Sequence, residues 1–150
     1  MAENIEGEGL AQQLIGTWSL ISRIDRAADG TIRTDPALGS DPLAMVTYTR
    51  GHFAAQFMKR DRSQYSSQPA GSGQNNTSAV GGYDAYFGTY RIGSDGQVVH
   101  RLEAALSPAN VGLEVSRTLT VDGDTLTIVL ATATQGGEAI TRTLTWRRMT

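Results

Sequence analysis

The sequence contains no cysteine. That absence excludes disulfides, thiolate nucleophiles, cysteine-ligated zinc and iron–sulfur clusters. It has two histidines, His52 and His100. Two imidazoles without cysteine make an ordinary zinc site a poor expectation, and the aspartates fall mostly in turns. Neither charge sign dominates: 13 basic against 15 acidic residues leave a net charge of −2. A nucleic-acid footprint needs a basic excess, so that class is set aside. No apolar run approaches the ~18 residues that a membrane-spanning helix requires. The opening MAENIEGEGLAQQ is acidic and polar, unlike an export signal. It reads as a flexible segment, residues 1–13, ahead of a domain over 14–148, and the expected compartment is the cytoplasm. Also missing are a Gly-x-Ser-x-Gly elbow, a P-loop and Gly-x-Gly-x-x-Gly.

What is present fits one domain of 150 residues. A chain of this length buries roughly 70% of its unfolded surface and needs no staples. Apolar residues alternate with polar ones, and turn residues interrupt about every tenth position. Eight candidate strands follow: 14–24, 43–50, 52–59, 84–93, 97–106, 113–121, 125–132 and 139–147. Asp29-Gly30, Arg50-Gly51, Ser94-Asp95-Gly96, Asp122-Gly123-Asp124 and Gln135-Gly136-Gly137 supply the turns. The pattern predicts an all-β chain. Eight strands in hairpin order close into a small antiparallel up-and-down barrel with room for one ligand. A two-sheet sandwich is the alternative. Residues 63–83 (SQYSSQPAGSGQNNTSAVGGY) carry no charge and are rich in Ser, Gln, Gly and Asn, and loops of that length are surface excursions or lids. Thr77 or Ser78 could cap a short helix there. Asn76-Thr77-Ser78 matches a glycosylation sequon and is read as chance.

Several pieces resemble the bacterial lipocalin-like domain family. Leu14-Ile15-Gly16-Thr17-Trp18 is similar to the Gly-x-Trp opening of a lipocalin's first strand. Trp146-Arg147-Arg148 resembles the basic closure of the last. Between them stand GSDP at 39–42, Tyr48-Thr49, Gln56-Phe57-Met58 before Arg60-Asp61-Arg62, YDAYFGTY at 83–90, Val99-His100, LEAAL at 102–106, Gly112 and Arg117. The resemblance spans about 14–148. It implies a lipocalin-like barrel with an internal cavity, in which an arginine packs over the first-strand tryptophan and seals one end. At Pro108-Ala109-Asn110 the chain departs from the pattern, which has an aromatic before Val111-Gly112.

Independently of that resemblance, polar residues interrupt the apolar faces. Residues of equal parity on a strand point to one side. Arg117 shares its parity with Leu113, Val115, Leu119 and Val121; His100 with Val98, Leu102, Ala104 and Leu106. Arg142 stands with Ile140, Leu144 and Trp146, although its place near a strand end reads rather as outward or at the barrel mouth, and Tyr86 stands with Tyr90 and Ile92. Trp18, Leu20 and Ile24 share the first strand's face. An unpaired buried guanidinium costs several kcal/mol, so its charge must be met. For Arg117 three readings are open: a structural ion pair, although no acid appears on these faces; an anchor for a ligand carboxylate, phenolate or carbonyl; or an outward turn caused by a bulge. For His100 the readings are a satisfied core histidine, a ligand contact, a catalytic acid or base, or a haem ligand, the last with nothing else in its favour. His100 and Glu103 have opposite parity and cannot pair without a bulge. Tyr90 and Arg117 are its expected neighbours. Tyr83, Tyr86 and Tyr90 could equally fill the barrel, and Met45 and Met58 read as core packing.

The candidate ligand-binding set is Tyr48, Gln56, Met58, Tyr83, Tyr86, Tyr90, His100, Arg117 and Arg142. The expected function is binding of a small, mostly apolar or aromatic molecule with an oxygen-bearing end. The alternative is a cofactor-free isomerase, cyclase or lyase in which His100, Arg117 and Tyr90 move a proton and stabilise an enolate-like oxygen. A filled barrel serving as an interaction module is the third reading. No cofactor or metal is expected. The expected partner is a small-molecule ligand or substrate, with no nucleic acid and no membrane, and a homodimer is left open.

Overall fold

The computed structural model describes residues 9–65 and 79–150. The expected helix cap at Thr77 or Ser78, the sequon and most of the lid segment lie outside them. Residues 9–14 are helical and lead into the first strand. The strands are β1 (Gly16–Ala27), β2 (Ile32–Arg33), β3 (Leu43–Tyr48), β4 (His52–Met58), β5 (Tyr83–Ile92), β6 (Gln97–Ala105), β7 (Glu114–Asp122), β8 (Thr125–Ala133) and β9 (Ala139–Arg148). Every neighbour pair is antiparallel, and β1 also pairs β9. That pairing closes eight strands into an up-and-down barrel and disposes of the sandwich. The two-residue β2 is an addition, hydrogen-bonded to the half of β1 that β3 does not reach. Among the described residues no helix is long and apolar enough to cross a membrane.

Two bulges change which side chains point inward. On β1 the pairing with β9 shifts between Leu20 and Ser22, which leaves Ile21 as the extra residue, half exposed. An extra residue inverts the parity of all that follows. Trp18 and Leu20 therefore face the core, but beyond the bulge Arg23, Asp25 and Ala27 do so in place of the expected Ile24. On β6 the pairing moves from Leu102 opposite Gly88 to Ala104 opposite Phe87, so Glu103 is extra. Ala104 then pairs with the outward, exposed Phe87, and Leu106 is exposed too, which corrects their expected inward placement. Gly88 opposes this bulge. A Cβ there would lie 1.8 Å from the Arg101 carbonyl oxygen, so no side chain fits.

One barrel end is sealed by Trp18 and Arg148. The Trp18 indole N–H donates to the Leu14 carbonyl at 2.9 Å. The Arg148 guanidinium lies 4.2 Å from the Trp18 ring centroid. It also donates to the carbonyls of Ile15 and Gln13 at 2.9 and 2.8 Å and to Asp124 at 3.2 Å. Gly16, at φ +136°, leaves room for it, since a Cβ would stand 3.0 Å from Arg148 Nη1. At the other end two buried ion pairs fix the wall. Arg142 of β9 donates from Nε and Nη2 to Asp25 of β1, at 2.8 and 3.0 Å. Arg23 of β1 donates to Asp35 at 3.0 Å, and Asp35 also accepts the Ala37 N–H. The first pair rivets the closing seam; the second ties the loop before β3 to the barrel.

Arg148→Ala should lower the unfolding free energy by about 2–3 kcal/mol through lost ring and carbonyl contacts. Arg147→Ala, on the exposed side, should stay within about 0.5 kcal/mol; urea midpoints of the two variants check the contrast. Asp25→Asn should cost about 3–5 kcal/mol by stranding a buried cation, while Asp25→Leu combined with Arg142→Met should recover most of that loss. Equal instability of the single and double variants in thermal melts would count against the ion-pair account.

Candidate functional site

The barrel encloses a cavity of about 370 Å³. Its walls come from inward positions of the eight barrel strands, β2 contributing none: Arg23 of β1, Val46 and Tyr48 of β3, Phe53 and Phe57 of β4, Tyr86 of β5, His100 of β6, Arg117 of β7, Leu130 of β8, and Leu144 and Trp146 of β9. Alternation explains this set, since on β4 Phe53, Ala55 and Phe57 are buried while the residues between them are not. The aromatic rings make a connected wall. Phe53 packs edge-on to His100 at 4.6 Å between centroids, and Phe57 edge-on to Trp146 at 5.8 Å. The rim includes Leu113 and Asn110, the latter in a short 3-10 turn, Pro108–Asn110, where the family pattern has an aromatic.

Arg117 faces the cavity, as its parity predicts. It is partly buried, and burial lowers its pKa, with Tyr86 and Tyr48 acting in the opposite sense. Its hydrogen bond among the described residues goes to the neighbouring Ser116 carbonyl, at 3.1 Å. No carboxylate among the described residues bridges to it. Arg142 also faces inward, but Asp25 engages it. The expectation that the inward faces hold no acid is therefore corrected. Asp25 and Asp35 are buried partners, and Asp84 is a third inward carboxylate, 5% exposed. The β1 bulge hid Asp25 from a parity reading. Asp84 carried a usable signal, because it shares its parity with Tyr86 and Tyr90.

His100 is buried and pairs across the sheet with Tyr90, as the hairpin predicts. The tyrosine that bonds it, however, is Tyr48: the hydroxyl lies 2.8 Å from Nε2. The Tyr90 hydroxyl turns away to the Thr49 carbonyl, at 2.9 Å, and Tyr90 is not part of the cavity wall. This corrects the grouping of Tyr90 with His100 and Arg117 around one oxygen. Either the Tyr48 hydroxyl donates to Nε2 or a protonated Nε2 donates to it, according to the tautomer; the other ring nitrogen is Nδ1. That Nδ1, like Trp146 Nε1, is buried without a partner among the described residues. Burial, and after it the Arg117 charge, presses the His100 pKa down to about 3. Burial likewise pushes the Tyr48 hydroxyl far upward and Tyr86 to about 12. Glu103 is exposed on the β6 bulge and does not meet His100.

Gln56, Met58 and Tyr83 stand outside the cavity wall. Gln56 and Met58 alternate with the buried phenylalanines of β4, and the Tyr83 hydroxyl donates to Gln56 on that outer face. The inward set is thus corrected to Tyr48, Tyr86, His100, Arg117 and the engaged Arg142. Met45 is 40% exposed rather than packed in the core. The β3 and β4 sequences show why: in LAMVTY and HFAAQFM both parities carry apolar residues, so neither face announces itself.

No functionally curated protein matches the chain. The profile of the lipocalin-like domain matches residues 15–149, which takes in the Trp18–Arg148 seal, both ion pairs and every cavity-wall residue named above. A match over nine-tenths of the chain, on a closed eight-stranded barrel, means that this protein belongs to the lipocalin-like domain family.

Proposed function

We propose that the barrel binds a small, largely apolar or aromatic molecule through an oxygen acceptor that meets Arg117. The observation that carries this reading is a guanidinium on the wall of a 370 Å³ cavity to which, among the described residues, no carboxylate bridges. Ion pairs satisfy the other two inward arginines. A buried charge without a partner is costly, and a ligand carboxylate, phenolate or carbonyl would offset that cost. The volume lies within the range of small-molecule sites, and the Phe53, Phe57 and Trp146 rings offer apolar area to the rest of the guest.

The titration behaviour supports binding over proton transfer by His100 or a tyrosine. General acid–base groups work best with pKa values near the working pH. His100 lies near 3 and Tyr86 near 12. His100 in this reading is a neutral strut that holds Tyr48 against the wall.

Binding can be followed with anilinonaphthalene sulfonate and its uncharged parent, phenylnaphthylamine. Arg117→Gln should weaken the sulfonate by about tenfold or more, because a charge-assisted hydrogen bond is worth about 1.5–3 kcal/mol. The neutral probe should change little. Equal effects on the two probes, or none, would defeat the role given to Arg117. His100 gives a second expectation. A folded pKa near 3 against about 6.5 when unfolded means that the unfolded chain binds more protons between those values, so stability falls as pH falls through that window. From pH 7 to pH 5 this single group should remove about 2 kcal/mol. The loss should be smaller in His100→Gln, read by urea unfolding at both pH values. Asp84 works against it: its folded pKa of about 6 adds stability as pH falls below that value.

A further inference from the structure

The cavity holds a second charge that lacks a dedicated partner. Asp84, near the start of β5, sits opposite Phe57 of β4 and lines the cavity. It is 5% exposed, and among the described residues no salt bridge reaches it. The Ala85 backbone N–H donates to its carboxylate. Burial pushes its pKa up to about 6, and the Arg23 charge draws it down again, yet Arg23 is already bonded to Asp35. At neutral pH Asp84 is therefore mostly an anion.

Asp84 and Arg117 do not neutralise each other. Neither is among the charges that act on the other's titration. Tyr86 stands between them on the inward face of β5, where Asp84 raises its pKa and Arg117, Arg23 and Arg142 lower it. Among the described residues, the charged group that acts on Asp84 is thus Arg23 of β1. Its cross-strand neighbour on β4 is Phe57, and the inward residues of the nearby β6 end are uncharged.

We propose that Asp84 is a second recognition pole and that the ligand is bifunctional, with an oxygen acceptor at Arg117 and an O–H or N–H donor at Asp84. This rests on the binding reading above and narrows its ligand class. A purely apolar guest would leave both charges buried and unmet. A simple acid would satisfy one and press its remaining apolar end towards the carboxylate. A hydroxylated or aminated aromatic acid carries one group for each, and Tyr86, whose titration both charges influence, lines the same cavity.

Two probes of one shape test this: para-hydroxycinnamate, which carries a donor opposite its carboxylate, and para-methoxycinnamate, which does not. Wild-type protein should bind the hydroxyl compound about tenfold more tightly by titration calorimetry. Asp84→Asn should bring that ratio close to one, with circular dichroism confirming the fold. Arg117→Gln should weaken both cinnamates alike and leave the ratio in place. If the wild type binds both equally and both need Arg117, the second pole is refuted and the Arg117 reading stands. If the wild type binds neither, the Arg117 reading falls and the second pole falls with it. The wild-type comparison decides the matter even if Asp84→Asn fails to fold.

Discussion

A closed sheet that points guanidinium groups at its own interior has to meet their charge, and the rest of this structure follows from how it does so. Arg142 is met by two parallel hydrogen bonds from β9 to Asp25 on β1, across the seam where the barrel closes. Arg23 is met by Asp35, which draws the loop after β1 down onto the wall. Each pair takes part of its geometry from the bulge at Ile21, because without that extra residue neither Arg23 nor Asp25 would face inward. Burial of such pairs adds little net stability in general. Here they fix strand register at the seam and loop position at the rim.

The two ends of the barrel consequently differ. At the sealed end, Arg148 lies over the Trp18 ring and caps carbonyls of the residues that lead into β1. Between that end and the rim lies an aromatic belt, with His100 locked to Tyr48 and packed on Phe53. A neutral imidazole suits that position, since a charge there would have to share a low-dielectric space with Arg117. Among the described residues, Arg117 and Asp84 line the cavity without an ion pair, Arg117 bonded to the Ser116 carbonyl and Asp84 to the Ala85 N–H. They stand where the cavity has room for a guest.

The alternation of β7 and β9 was legible without coordinates. Arg117 among Val115 and Leu119 reads as inward by parity and lines the cavity; Arg142 among Ile140, Leu144 and Trp146 also had an outward or mouth reading, and it is inward. The Gly-x-Trp opening and the terminal arginine were legible as a seal only through the resemblance to lipocalins, and the fold does place Arg148 over the Trp18 ring beside Gly16. β3 and β4 were not legible. Their two faces are nearly equally apolar, and this is why Gln56 and Met58 could be drawn towards the cavity although they lie outside it. Asp84 was readable by parity alone, but a carboxylate next to a turn looks like turn chemistry.

Hydrophobic periodicity and turn residues indicated eight strands in hairpin order and the inward parity of His100 and Arg117, because side-chain direction on an uninterrupted strand depends on parity alone; they left a barrel against a sandwich, and Arg142 between interior and mouth, for the fold to decide. Tertiary structure decided where parity breaks and who pairs with whom. The bulges at Ile21 and Glu103 arise from the pairing of neighbouring strands, which no single strand's pattern contains. The partners Asp25 and Arg142 lie 117 residues apart. Only the closing of the barrel brings such residues together, and so only the folded chain shows which inward charges are held in ion pairs.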